Sequence, residues 1–398
     1  MAYKPTPAAG ASGSGSGSTQ PNPPEPAAIM VASDIDEEDD DDVDSALGDD
    51  ALVTLFFLPK RLQSIGGVED ALVDNVVFLM VFIRTYCVDF SCSSSIMHSI
   101  TSSILNYRTI DGRTYHSEKH NNWYFVPNDE QQLQSQDITH HYLSMLIGDK
   151  LFLAPIQDSV QRVLDIGTGT GIWSIIFAEV YPNAEVIGTD LSPTQPLWVP
   201  PNVKFELDDC TQPWTWSENS FDFVHMRYLF GAIADWDELL RQAYRVTRPG
   251  AWVQSCEADV NLRSDDDSIP PDSPYVTFWN MLYHEAQAKL GVSFQPIDDN
   301  VQRTAFERAG FECIEVRDFK FPVGGWPADE KLAEIGRYVQ MTMLNDVEGY
   351  TLFLWKTVMG ENAPGYEEEL AKMRKELKSK KRHGYMRCRY VFGRKPYS

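Results

Sequence analysis

The chain has 398 residues, of which 43% are hydrophobic and 12% aromatic, so it can form one large domain with extensions or two modest ones. Its formal net charge of −24 argues against unaided DNA or RNA binding, which needs lysines and arginines to neutralise phosphates. Six cysteines without a C-x-x-C pair favour a reducing compartment, the cytoplasm or the nucleus. The one membrane-like stretch, residues 76–83, is far shorter than the ~20 residues of a spanning helix, so no membrane association is expected.

The first hundred residues differ in composition from the rest of the chain. Residues 1–50 are rich in Ala, Gly, Ser, Pro and Asp, and nine carboxylates within residues 34–44 repel one another. A disordered acidic tail is therefore predicted. Residues 51–100 instead contain apolar clusters and a Cys/Ser-rich end. Two interpretations of this atypical segment stay open: a gene-model error such as a translated intron, or a real linker with a helical part that packs on the following domain.

From residue 101 to residue 398 the pattern is that of a globular domain. A first helix is predicted after the capping residues Asn128 and Asp129. Strand and helix signals then alternate within a core of about residues 150–260. The predicted strands are residues 162–166, 185–189, 203–207, 221–226 and 252–256, with helices at residues 173–180 and 236–246. Repeated β-α-β units imply an α/β fold with a mostly parallel, doubly wound sheet, whose ligands bind at the carboxyl ends of the strands.

The alternation stops after residue 260, and we interpret about residues 261–380 as cap and substrate segments. A helix is predicted over residues 274–290. Residues 311–319 and 385–392 alternate like strands, which predicts an antiparallel edge hairpin. Between them, residues 331–342 and 348–359 are predicted to form two helices that wall a substrate pocket.

The most informative stretch is residues 163–171, where an apolar strand runs into a glycine turn and a helix. The helix N-terminus is expected to offer unpaired N–H groups to a ligand. The glycines alternate, whereas the dinucleotide fingerprint is G-x-G-x-x-G. Asp165 lies two residues before the first glycine, and a carboxylate there suits a cationic ligand better than a pyrophosphate. Asp190, nineteen residues after Gly171, ends the next strand, where a carboxylate can hold a ribose diol.

These features favour S-adenosylmethionine, which carries an amino group and a sulfonium, as the ligand. NAD or FAD, and a turn without any ligand, are the alternatives. Further polar residues are expected at the same edge of the sheet, where the next strands end: Asp208, Asp209, His225 and Arg227.

Together these motifs resemble the ordered signature of class I S-adenosylmethionine-dependent methyltransferases. Shorter stretches are similar to the fungal LaeA-like methyltransferases, a family that includes regulators of secondary metabolism and development. These stretches are residues 112–116, 127–130, 165–173, 187–195, 200–206, 225–228 and 390–396. The resemblance covers about residues 101–398 and implies a Rossmann-like fold with helical lid segments.

By this resemblance the cofactor-binding residues are Asp165, Gly167, Thr168, Gly169, Gly171, Asp190, Leu191, Asp208, Asp209, Cys210 and Met226. Asp165 would hold the methionine amino group, directly or through water. Asp190 would hold the ribose hydroxyls, with Leu191 under the adenine. Asp209 would accept a hydrogen bond from the adenine amino group, although Asp208 can take that role instead. Local capping is the alternative reading of Asp165 and Asp190.

The resemblance implies cofactor-binding residues but assigns no catalytic residue. His225 lies beside the expected position of the sulfonium methyl, and it is either a general base or a structural histidine. Methyl transfer from an activated sulfonium can depend on alignment alone, so a base is not required. His116 and His120 have the spacing of metal ligands, but no third ligand is apparent and no metal is predicted. Residues 372–382 form a basic run, interpreted as a solvated helix face or as a nuclear signal.

Three functions follow from these observations. The leading one is an active methyltransferase with an unidentified acceptor, a small molecule or a protein, and a regulatory role in fungal secondary metabolism. The second is a nuclear regulatory protein that binds the cofactor and acts mainly through protein partners. The third is an NAD-dependent oxidoreductase.

Overall fold

The computed structural model describes residues 25–32, 107–117 and 124–397. Residues 51–100, and all but residues 25–32 of the predicted acidic tail, lie outside the described ranges. Within the tail, residues 25–32 lie against the domain: the Ala32 amide donates to the Trp326 carbonyl at 3.0 Å, and the Ala328 amide donates to the Met30 carbonyl at 2.8 Å. The prediction of a wholly disordered 1–50 is therefore wrong for this stretch, whose apolar side chains distinguish it from the acidic residues that follow.

A seven-stranded sheet forms the centre of the domain, in the order β5-β4-β3-β6-β7-β9-β8. Its strands are β3 (Arg162–Ile166), β4 (Glu185–Asp190), β5 (Val203–Leu207), β6 (Phe221–Arg227), β7 (Thr247–Arg263), β8 (Glu312–Pro322) and β9 (Tyr385–Arg394). Neighbours from β5 to β7 are parallel, whereas β9 pairs antiparallel with both β7 and β8. The predicted parallel core and antiparallel edge hairpin are confirmed.

The described residues also form helices. They are α1 (Glu130–Leu146), α2 (Ile172–Val180), α3 (Trp236–Val246), a π-helix (Tyr275–Asn280), α4 (Met281–Leu290), α5 (Val301–Ala309), α6 (Glu330–Met359) and α7 (Tyr366–Lys378). A small hairpin of β1 (Arg108–Ile110) and β2 (Arg113–Tyr115) precedes α1. Within the described ranges, none of these helices has the length and apolar character that crossing a bilayer requires.

The longest cap helix, α6, is kinked at Asp346 (φ −144°, ψ 45°). The helices predicted at residues 331–342 and 348–359 lie on either side of this kink, so the predicted break is confirmed. At the kink, the buried Asp346 carboxylate accepts the Gly349 amide at 3.0 Å and the Arg113 guanidinium at 2.7 and 2.8 Å. The predicted helix 274–290 is continuous but begins with a π-helical turn. The hairpin β1–β2 and helix α5 had no counterpart in the prediction.

Candidate functional site

The glycine turn lies at the carboxyl edge of the sheet. β3 ends at Ile166, which pairs with Thr189 of β4 and with Met226 of β6, so the turn meets the ends of both neighbouring strands. Gly171, which precedes α2, has a φ of 81°. A Cβ at Gly171 would lie 2.4 Å from Cζ of Phe205, so both the backbone and the space favour glycine.

Three backbone amides of this turn already donate within the protein. The Thr168 amide donates to the Thr189 carbonyl at 2.8 Å, and the Gly171 amide donates to the Thr168 carbonyl at 3.0 Å. The Gly169 amide donates to the Asp190 carboxylate at 2.8 Å. The expectation of unpaired N–H groups is therefore wrong for these three. A pyrophosphate relies on such amides, so this turn favours a ligand that places no phosphate on it.

The Asp165 carboxylate contacts the glycine turn and two neighbouring elements. Its Oδ2 accepts hydrogen bonds from the hydroxyls of Thr168 and Ser174, both at 2.7 Å, and its Oδ1 lies 2.8 Å from Nδ1 of His225. The carboxylate is buried and lies off the wall of the adjacent cavity. Asp165 thus ties β3, α2 and β6 together, and its predicted contact with the methionine amino group stays a prediction.

His225 is not one of the residues that line the cavity. Its ring stacks on Trp173 with centroids 3.8 Å apart and planes 3° apart. Burial lowers the pKa of His225, although the hydrogen bond to Asp165 opposes this effect. These contacts favour a structural histidine over a general base.

A cavity of about 210 Å³ opens above the turn. Seven of the predicted cofactor-binding residues line it: Gly167, Thr168, Gly169, Asp190, Leu191, Asp208 and Cys210. Four others lie off its wall: Asp165, Gly171, Asp209 and Met226. Two aspartates after β5 were candidates for the contact with the adenine amino group. Asp208 lines the cavity. The Asp209 carboxylate instead accepts the amide and the hydroxyl of Thr211 at 3.0 and 2.7 Å. This placement favours Asp208 as the adenine contact.

Asp190 is suited to a ribose diol. Its oxygens accept the amides of Gly169 at 2.8 Å and Ser192 at 3.0 Å, which fix the carboxylate on the cavity wall. Each carboxylate oxygen can accept a second hydrogen bond, so capacity remains for ligand hydroxyls. Burial raises the pKa of Asp190, and the two amide donors oppose this rise.

The segment before α1 covers the cavity. His116 and Asn128 line it, and each is held by a hydrogen bond: Nε2 of His116 accepts the Tyr124 amide at 3.1 Å, and Nδ2 of Asn128 donates to the Ser192 hydroxyl at 3.1 Å. His120 lies outside the described residues. Among the residues that the structure does describe, no group of three or more His, Cys, Asp or Glu side chains could hold a metal ion.

The same cavity has an aromatic part, which we call the aromatic chamber. It is lined by one residue after β6 and by five residues from separate helices and strands: Tyr228, and Tyr142, Trp279, Tyr283, Phe321 and Tyr350. Tyr350 lies in the helix 348–359 that was expected to wall a substrate pocket, whereas the other five were not predicted as lining residues. The Tyr142 and Tyr228 hydroxyls lie 3.4 Å apart. Tyr228 follows β6 directly and has a φ of 57°, which side-chain-bearing residues rarely adopt. For Tyr228, the signal in the sequence was an aromatic residue directly after a buried strand.

Comparison with known proteins identifies the family. A methyltransferase-domain family matches residues 138–316. The methyltransferase pytC of Aspergillus terreus is 37% identical over 68% of this chain and 81% of its own length. The secondary metabolism regulator LAE1 of Cochliobolus heterostrophus is 31% identical over 72% of this chain and 94% of its own length. The protein-methionine methyltransferase laeA of Emericella nidulans is 31% identical over 77% of this chain and 81% of its own length.

The chain belongs to the LaeA-like methyltransferases. It is therefore an S-adenosylmethionine-dependent enzyme with the Rossmann-like class I fold, as the motifs predicted. The NAD-dependent alternative is set aside, in agreement with the occupied amides of the turn.

The residues of this LaeA-like methyltransferase fit the cofactor. Asp190 presents a carboxylate to the cavity at the end of β4, and Asp208 and Cys210 line the wall after β5. Gly167 and Gly169 allow the turn to pass close to two side chains of the cavity wall, since a Cβ at Gly167 would lie 2.5 Å from Cδ2 of Leu229 and one at Gly169 would lie 2.7 Å from Oε1 of Gln136. S-adenosylmethionine would therefore lie over the turn, with the aromatic chamber beyond it.

Proposed function

We propose that this methyltransferase methylates a small-molecule acceptor in fungal secondary metabolism, with the acceptor held in the aromatic chamber. The observation that carries the proposal is that the glycine turn and the chamber share one cavity. Further support comes from relatives named as a methyltransferase and as regulators of secondary metabolism. The chamber offers flat apolar faces from six side chains, which suit an unsaturated or aromatic acceptor.

The bound cofactor supplies a methyl group on a sulfonium, already activated for in-line displacement. The residues of this chain then have to bind the acceptor, orient it and exclude water. The tyrosines of the chamber suit that role, because a phenol is protonated near neutral pH and burial raises the pKa of Tyr142 and Tyr228 further. Their hydroxyls stay protonated near neutral pH and can donate hydrogen bonds to an acceptor.

The acceptor class can be tested by following labelled methyl groups. The full chain is incubated with [methyl-³H]-S-adenosylmethionine and with separate low-mass and protein fractions of a fungal cell extract. We expect label in the low-mass fraction, and none with Asp190→Ala. Label confined to protein, or to this chain itself, would contradict a small-molecule acceptor.

A protein acceptor is the second candidate, because the Emericella nidulans relative carries the name protein-methionine methyltransferase. A regulatory protein that binds the cofactor and acts through nuclear partners is the third, supported by the relatives named as regulators. An Asp190→Ala chain expressed in cells separates that role from catalysis: loss of cofactor binding with regulation retained would favour the partner-based function.

For localisation we propose the cytoplasm, the nucleus or both. Support comes from the cysteines, since Cys210, Cys256, Cys313 and Cys388 are all unbridged within the described part of the chain. Microscopy of a fluorescent fusion tests this proposal, and a secreted or vesicular signal would contradict it.

A further inference from the structure

Arg227 is a cation on the cavity wall that has no acidic partner. Arg227 is the last residue of β6, and Tyr228 of the aromatic chamber follows it directly in the chain. Its Nη2 lies 3.2 Å from Nδ1 of His140. Among the described residues, Arg227 takes part in no ion pair, and no other lysine or arginine lines the cavity.

Two buried arginines of this fold are paired with carboxylates. Arg113 pairs with Asp129 and Asp346, and Arg389 pairs with Asp318 at 2.6 and 2.8 Å. Burying a guanidinium costs free energy unless an anion compensates its charge.

Arg245, which is half-buried, also has no carboxylate partner, but it donates to the carbonyls of Trp214 and Trp216. The contact of Arg227 is instead with the ring of His140, and its position on the cavity wall gives a ligand access to its guanidinium.

The groups around Arg227 do not supply that negative charge. His140 is fully buried, and burial and the nearby Arg227 both lower its pKa, so its ring is neutral. On the adjacent strand β7, burial raises the pKa of Glu257 well above its usual value, and its Oε2 accepts the Phe230 amide at 2.9 Å. The two carboxylates on the cavity wall, Asp190 and Asp208, follow β4 and β5 on the other side of the glycine turn.

We propose that Arg227 binds a carboxylate in the cavity that it shares with the aromatic chamber, and that the methyl acceptor is an apolar, unsaturated molecule bearing this acidic group. The guanidinium offers a planar set of donors that matches a carboxylate in two-pronged geometry. The aromatic side chains that line the same cavity suit an apolar body. This inference rests on the proposed small-molecule function. The cofactor also carries a carboxylate, so the experiment separates the two sources.

The acceptor arm uses 2-naphthoate and its neutral isostere 2-naphthamide, each titrated into the full chain saturated with S-adenosylhomocysteine. We expect the wild-type chain to bind the naphthoate at least about tenfold more tightly than the amide, as a charge-assisted hydrogen-bonded pair implies. We expect Arg227→Gln to bind 2-naphthoate and 2-naphthamide equally, and Arg227→Lys to keep part of the preference for 2-naphthoate. Equal affinities for the two probes in the wild-type chain would overturn the proposal, without any variant having to fold.

The cofactor arm compares S-adenosylhomocysteine with its decarboxylated analogue. If Arg227 holds the acceptor, Arg227→Gln changes the ratio of these two affinities less than twofold. If the substitution abolishes a preference for S-adenosylhomocysteine, Arg227 holds the cofactor carboxylate and the acceptor assignment is overturned. Failure of the wild-type chain to bind S-adenosylhomocysteine at all would instead count against the cofactor site, so the two failures are distinguishable.

Discussion

The Asp190 carboxylate accepts the Gly169 amide at 2.8 Å, which joins the end of β4 to the glycine turn after β3. The same carboxylate lines the cavity. One side chain thus orders the turn and faces the ligand, so its two roles can be separated by substitutions that keep or remove the hydrogen-bond acceptor.

Asp190→Ala is expected to weaken S-adenosylhomocysteine binding by at least about tenfold, since hydrogen bonds to charged groups contribute about 1.5–3 kcal/mol. Asp190→Asn keeps one acceptor oxygen for the Gly169 amide and should lose less. Isothermal titration calorimetry measures both. Asp149→Asn, at an exposed aspartate that pairs with Lys331 at 3.3 Å, is the matched control and should bind as the wild type does. An unaltered affinity in Asp190→Ala would contradict this role.

Gly171→Ala is expected to lower the free energy of unfolding by about 3 kcal/mol or more. Left-handed backbone costs a residue with a Cβ about 1–2 kcal/mol, and the new methyl group would also overlap the Phe205 ring. Gly148→Ala is the control, because Gly148 has a φ of 78° but nothing within 4 Å of an added Cβ. Chemical denaturation of both variants isolates the steric part, and equal losses would show that the Phe205 contact is unimportant.

The parallel core could be predicted because β3, β4 and β6 are short, mainly apolar runs, β5 alternates apolar and charged residues, and polar residues stand at the ligand edge of these strands. The cofactor residues at that edge follow their strands directly, so Asp190 and Asp208 could be found from the order of the elements. Most of the aromatic chamber could not, although the helix that carries Tyr350 was predicted to wall a pocket. The other side chains are spread along the chain from Tyr142 to Phe321 and show no shared local pattern. Aromatic residues at helical spacing are typical of any core.

The partner of Asp346 shows a second limit. A break in the helix between residues 342 and 348 was predicted, but the ion pair of Asp346 with Arg113, which is 233 residues away in the chain, was not. Asp165 shows the same limit on the site: its position predicts a ligand contact, whereas the hydrogen bonds that it accepts from the hydroxyls of Thr168 and Ser174 were not predicted. Local sequence identifies the acid, and only the packed structure identifies its partner.

Arg113→Met is expected to destabilise the fold by about 3–5 kcal/mol at neutral pH, because it leaves the buried Asp346 carboxylate without its counter-ion. Burial raises the pKa of Asp346, and the Arg113 hydrogen bonds oppose this rise. Without Arg113 the folded state should take up a proton at Asp346 more readily than the unfolded chain. The loss in Arg113→Met should therefore shrink as the pH falls from 7 to 5.

Urea denaturation at several pH values measures this effect, with Arg113→Met/Asp346→Asn as the control that removes the titrating group. A loss in Arg113→Met that stays constant or grows on acidification would contradict the assignment of the cost to an unpaired Asp346 carboxylate.

His225 is expected to make the protein less stable in acid. Burial lowers its pKa from the usual 6.5, so below that pH the unfolded chain binds a proton that the folded chain excludes. His225→Gln should therefore flatten the decline of the unfolding free energy below pH 6.5, by up to ~1.4 kcal/mol per pH unit. Denaturation curves provide the measurement, with the exposed His284→Gln as the matched substitution. A steeper decline in His225→Gln would show that the folded ring is protonated, as a base that titrates near neutrality would be.

The most direct test of the central claim is calorimetric titration of the purified chain with S-adenosylhomocysteine and, separately, with NAD. The geometry of the glycine turn predicts saturable one-to-one binding of S-adenosylhomocysteine with a dissociation constant in the micromolar range or below, and no measurable heat with NAD. Binding of NAD without any response to S-adenosylhomocysteine would contradict the assignment of this turn to a sulfonium cofactor.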